Sequence, residues 1–136
     1  MMAGKFKDIT VVKELDRSLP PVPIFGAALN QVWTNLIDNA VQAMNGHGTL
    51  TIRTSLDGDY ARVEIGDTGP GIPAELRQRI FEPFFTTKPV GQGTGLGLDI
   101  SYRIVVERHG GDLRVESQPG DTRFIVRLPL TERPVA

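Results

Sequence analysis

The 136-residue chain contains no cysteine and only two histidines, His47 and His109. Without cysteine there is no disulfide framework and no thiolate metal site, which suits a reducing compartment and makes a cytoplasmic location the expectation. No apolar run approaches the roughly 20 residues that a membrane helix needs. The opening "MMAGKFKDIT" lacks the apolar stretch of a secretion signal. Membrane contact is therefore not expected of this domain. A formal net charge of -1 leaves no basic excess, which argues against nucleic-acid binding. There is no internal repeat. What remains is a chain with 40% hydrophobic residues, long enough to build one domain around one core.

The patterning is mixed. "FKDITVVKEL" alternates and is rich in β-branched residues, predicting an opening strand. From Phe25 to about Met44, the residues Leu29, Val32, Trp33, Leu36, Ile37, Ala40 and Met44 keep helical spacing, and "NGHG" closes the helix. "TLTIRTSL" and "YARVEIGD" read as a hairpin around "DGD". "TGPGIPAE" leads into a short helix around Leu76 to Ile80, and a long loop runs from about Pro83 to Gly97. Leu98 to Arg108 predicts a helix stopped by His109-Gly110-Gly111, and "DLRVESQ" with "TRFIVRLPL" forms a closing hairpin around "PGD". Such an order fits an α+β fold, a two-layer sandwich with one mixed sheet and helices on one face.

Three stretches carry chemistry. In "NLIDNAVQAM", Asn35 and Asn39 stand one turn apart beside the apolar stripe, with Gln42 close behind. Asn is a mediocre helix former, but its amide oxygen is a hard, neutral ligand suited to Mg²⁺ shared with phosphates. On these residues alone, two solvated amides are the simpler explanation. "DTGPGI", Asp67 to Ile72, follows a strand; its acid could accept from an exocyclic amine, favouring adenine over guanine, although acidic turns after strands are common. "GQGTGLGL", Gly91 to Leu98, frees backbone N–H groups for an anion just before a helix, and matches neither the P-loop nor the dinucleotide fingerprint. Between them, "FEPFFTTKP" places three phenylalanines in a loop, where they are expected to dock, and Lys88, which could meet a phosphate.

In this order and spacing the segments resemble the catalytic ATP-binding domain of sensor histidine kinases, within the GHKL ATPase/kinase superfamily. "NLIDNAVQAM" is similar to that family's N box, "DTGPGI" to its G1 box, "FEPFF" to its F box and "GTGLGL" to its G2 box; "HGG" and the closing "TRFIVRLPL" also resemble it. The resemblance spans nearly the whole chain, residues 1–136, and implies the Bergerat fold: a mixed sheet, about three helices on one face, and a mobile ATP lid at about 83–97. It implies Asn39 as the Mg²⁺ ligand, Asn35 near phosphate or metal-bound water, and Asp67 receiving the adenine amine, helped through water by Thr122. Gly69, Gly71 and Ile72 would shape the base pocket. Gly93, Thr94, Gly95, Leu96, Gly97 and Leu98 would face the phosphates, with Phe84 and Phe85 anchoring the lid.

The sequence also departs from the family. Gln42 stands where many members carry Lys, so one phosphate contact would pass to Lys88. Asn35 stands where the hydrolysing branches carry a Glu that activates water, and an amide is no such base. Transfer to a protein acceptor is therefore the expected activity, that of a protein histidine kinase. Neither His47 nor His109 has the expected acceptor setting. The acceptor His would come from a dimerisation/phosphoacceptor domain outside this chain, making the chain a fragment or a stand-alone version, and a response regulator receiver domain would take the phosphoryl group onward. The alternatives are a nucleotide-binding regulatory module without phosphotransfer and a GHKL protein-serine kinase.

Overall fold

A computed structural model describes residues 8–16, 27–77, 79–82 and 96–129. Five strands form one sheet in the order β1-β2-β3-β5-β4, where β1 is Asp8–Glu14, β2 His47–Asp57, β3 Tyr60–Asp67, β4 Asp112–Gln118 and β5 Asp121–Pro129. β1 runs parallel to β2, and the other neighbours are antiparallel. The parallel pair is possible because helix α1, Ala27–Ala43, lies in the crossover between them. The two sequence-adjacent hairpins, β2–β3 and β4–β5, close through two-residue turns, as their Gly-containing linkers predict.

α1 buries the stripe Leu29, Val32, Leu36 and Ala40 against the inner face of the sheet. It ends in a Schellman arrangement: Gly46 N–H donates to Val41 O at 3.2 Å, Asn45 N–H to Gln42 O at 3.1 Å, and Asn45 takes a positive φ of 53°. Helix α2 begins at Leu96, two residues earlier than the pattern predicts, drawing the end of the glycine-rich run into its first turn. It is α-helical only to Tyr102 and continues as a π-helix from Arg103 to Arg108. Ring Nδ1 of His109 lies 2.7 Å from Ile104 O, and Gly111 N–H donates to Val105 O at 2.9 Å. These partners, five and six residues on, accompany the wider winding. The predicted helix at Leu76–Ile80 is instead a 3₁₀ turn at Ala74–Leu76 followed by further turns, since one helical turn after Pro73 is too short to propagate. The described residues thus hold two helices and a 3₁₀ turn, fewer than the three helices expected.

The core joins both layers: Phe124, Leu50, Ile65 and Val126 from the sheet meet Leu36, Val32 and Val105 from the helices. Shortening Ile65 to Val should cost about 1 kcal/mol, the usual loss for one buried methylene, and lower the urea midpoint without changing the slope. The opposite sheet face carries no helix in the described residues. Glu64, 3% exposed, is covered there by guanidinium groups: Arg53 at 3.1 Å, Arg123 at 3.5 Å and Arg62 at 3.8 Å. Such a charge is tolerated because it is multiply paired.

Candidate functional site

Strand alternation puts Ala61, Val63, Ile65 and Asp67 on the inner face of β3. Asp67 ends the strand only 4% exposed, and the β3–β5 register places Thr122, 3% exposed, directly opposite. Asp67 Oδ1 accepts a hydrogen bond from Gly69 N–H at 2.9 Å. Asp67 Oδ2 is buried with no hydrogen-bond partner among the described residues. Burial pushes the Asp67 carboxyl above its ordinary range; the Gly69 N–H pulls it back, and the neighbouring Asp121 carboxylate raises it further. The result is an acceptor with one oxygen satisfied and the other in need of a donor.

The loop beyond Asp67 can approach its surroundings because two residues lack a side chain. A Cβ on Gly69 would lie 3.0 Å from both Ala43 O and Asp67 Oδ1. A Cβ on Gly71, where φ is 91°, would lie 2.9 Å from Gln118 O. The first contact seats the loop against the last residue of α1, one turn beyond Asn39. The second seats it against the end of β4, and Gly120 N–H donates to Gly69 O at 2.8 Å from the β4–β5 turn.

Asn35 and Asn39 are half-buried on α1, and Gln42 is exposed. Asn35 Nδ2 donates to Ser101 Oγ at 3.4 Å, so this amide bridges α1 and α2. Ile72 and Leu98 are half-buried and packed against the core, and Leu96 and Gly97 open α2. The predicted Lys88, Gly93, Thr94 and Gly95, with Phe84, Phe85 and most of the expected lid at 83–97, lie outside the described residues. At the near end of that segment Phe81 packs 5.6 Å from Tyr102 and meets Phe124 edge-on at 6.4 Å.

Sequence reasoning missed Arg77 and Ser117. Arg77 Nε donates to Ile72 O at 3.0 Å and its Nη2 to Ser117 O. Ile72 N–H donates to Ser117 Oγ at 2.8 Å, and Ser117 Oγ lies 2.7 Å from Thr122 Oγ1. The only hint in the sequence is a small polar residue near the end of a strand. It also missed Asp99, buried early in α2, whose Oδ1 has no hydrogen-bond partner among the described residues.

Among the described residues no three His, Cys, Asp or Glu side chains gather as a metal site. The open oxygen of Asp67 can accept a hydrogen bond from a donor group brought by a ligand.

Comparison with known proteins identifies the family. Residues 26–132 match the family described as histidine kinase-, DNA gyrase B- and HSP90-like ATPase. The chain is 42% identical over 130 residues to the signal transduction histidine-protein kinase AtoS of Escherichia coli, covering 94% of this chain and 21% of that protein. It is 40% identical over 138 residues to the sensory histidine kinase/phosphatase NtrB of Rhodobacter capsulatus, covering 90% and 38%. It therefore spans well under half the length of these relatives. The nucleotide-free catalytic domain of histidine kinase ThkA superposes with a TM-score of 0.82 at 36% identity, over 96% of this chain and 84% of that one. With the family match covering most of the chain and relatives of this identity, the chain belongs to the histidine kinase-, DNA gyrase B- and HSP90-like ATPase family.

Proposed function

We propose that this domain binds ATP with Mg²⁺ and delivers the γ-phosphoryl group to a histidine on a separate dimerisation/phosphoacceptor domain, from which a response regulator receiver domain is charged. The observation that carries the reading is the buried, unpartnered Oδ2 of Asp67. It offers an acceptor to the adenine amine, where the carbonyl of guanine would be repelled. ATP supplies the phosphoryl group, and the bound ion neutralises charge on it. Asp67 and Thr122 orient the base, while Gly69, Gly71 and Ile72 form the pocket around it. Asn39 gives its amide oxygen to the ion. Asn35, held by Ser101, is no base for water. In the transfer, the bond from the γ-phosphorus to the bridging oxygen breaks, a phosphorus–nitrogen bond to the acceptor imidazole forms, and the imidazole proton passes to solvent. Lys88, Gly93, Thr94 and Gly95 are proposed to hold the phosphates from the lid.

Two solved relatives support the regulator and the nucleotide. ThkA was crystallised with the response regulator TrrA, at 32% identity and a TM-score of 0.76 to this chain. ShkA was crystallised with AMPPNP, at 30% identity and a TM-score of 0.76. The test is calorimetry of the purified chain with ATP and ADP, with and without Mg²⁺, followed by γ-labelled ATP and a histidine-bearing helical domain of a relative supplied in trans. Magnesium-dependent uptake and acid-labile label on the acceptor are expected. Absence of nucleotide uptake overturns the proposal; uptake without transfer reduces it to a nucleotide-binding regulatory module.

A further inference from the structure

Behind the proposed base pocket, three chain segments meet at one hydroxyl. The loop after β3 arrives through Ile72 N–H, which donates to Ser117 Oγ at 2.8 Å. β5 arrives through Thr122, whose Oγ1 lies 2.7 Å from the same oxygen. Arg77 ties the loop to β4, the strand that carries the hydroxyl, from behind, donating to Ile72 O and to Ser117 O.

A serine hydroxyl has one proton and two acceptor lone pairs. Ser117 Oγ already accepts from Ile72, so its own proton needs an acceptor, and among the described residues Thr122 Oγ1 is the acceptor in reach. The contact has two polarities, and each leaves one hydroxyl proton over; a base that brings an acceptor to Thr122 selects the one in which Ser117 donates, because the reverse would leave both the Ser117 proton and that acceptor unmatched. With Ser117 donating, the proton of Thr122 is left over. It has no other partner among the described residues, and Thr122 stands opposite Asp67, with Cβ atoms expected about 5 Å apart. A donor and an acceptor then stand side by side: Thr122 O–H and Asp67 Oδ2. The Watson–Crick edge of adenine offers the complement, an acceptor at N1 beside a donor at the 6-amine. Guanine and hypoxanthine present the reverse order at both positions.

Building on the nucleotide reading above, we infer that Ser117, clamped by Arg77, is a specificity-setting positioning residue. It fixes the Thr122 hydroxyl as a donor toward the base, directly or through one water, so that purine discrimination rests on two oriented groups and not on Asp67 alone. Neither Ser117 nor Arg77 touches the nucleotide in this proposal.

The test compares ATP with inosine triphosphate, which differs from ATP only on that edge, by calorimetry on the whole chain. The wild type should prefer ATP. Ser117→Ala should narrow the ATP-to-ITP affinity ratio by about five- to tenfold, the value of one oriented hydrogen bond, chiefly by weakening ATP. Ser117→Thr, which keeps the hydroxyl, should restore the ratio. Arg77→Gln should narrow it in the same direction, with Arg77→Lys intermediate; this pair carries the test if Ser117→Ala fails to fold by circular dichroism. A purely structural role would weaken both nucleotides alike, and an unchanged ratio in folded Ser117→Ala or Arg77→Gln overturns the inference. A wild type that discriminates alongside such unchanged variants leaves the ATP reading standing. A wild type that binds neither nucleotide ends both.

Discussion

Asp67→Asn should weaken ATP binding by about 10- to 100-fold, the loss expected when a hydrogen bond to a charged acceptor becomes a mismatch. The effect follows from the way one oxygen is already held. Gly69 N–H needs an acceptor at 2.9 Å, so the amide oxygen of the new Asn takes the place of Oδ1, and its NH₂ group must point where Oδ2 stood. A donor then faces the donor on adenine. The same change should reduce discrimination against ITP, whose 6-oxygen can accept from that NH₂. The fold should survive, and at neutral pH the nucleotide-free variant should melt at a higher temperature than the wild type. The sign follows from burial. Asp67 has a folded-state pKa above its unfolded value, so its ionised form opposes folding, and the wild type gains stability as pH falls through the raised value. The advantage of Asn is therefore present above that value and disappears below the ordinary carboxylate range. Calorimetry and melting curves across pH read both effects; unchanged ATP affinity would remove Asp67 from the base site.

Asn39→Ala should abolish the part of nucleotide affinity that depends on Mg²⁺ and lower phosphotransfer on the order of 100-fold, as expected when a metal ligand is lost. Asn39 is half-buried on α1, one turn before the Ala43 carbonyl that meets the Gly69 loop. Its backbone position thus lies one helical turn from the loop that shapes the proposed base pocket. The ATP-to-ITP ratio should stay at the wild-type value, which separates this variant from Asp67→Asn. Magnesium titration at fixed ADP is the measurement; a wild-type magnesium dependence in the variant would exclude Asn39 as a ligand.

The fold was legible where its cause is local. α1 follows from its apolar period, both hairpins follow from Gly-containing turns between alternating runs, and the end of α1 follows from "NGHG". The misses have non-local causes. The start of α2 at Leu96 and its π-winding depend on packing and on partners of Ile104 and Val105 that no periodicity encodes. The candidate site divides the same way. Asp67 and the amides of α1 stand in recognisable stretches, whereas Arg77 and Ser117 are 40 residues apart and acquire meaning only when β4 comes to lie beside the Ile72 loop. Asn35 looked like a cleft residue; its bond to Ser101 shows that it also joins two helices.

The contact between Ala43 and Gly69 has a consequence for how a nucleotide can enter. The carbonyl end of a 17-residue helix, the negative pole of its dipole, is pressed against the loop that holds a buried carboxylate. Two negative features at one end of the cleft repel anything anionic there. In the proposed complex a triphosphate inserted tail-first would meet that repulsion and the uncharged ring system would not, so the helix end and Asp67 together favour entry base-first.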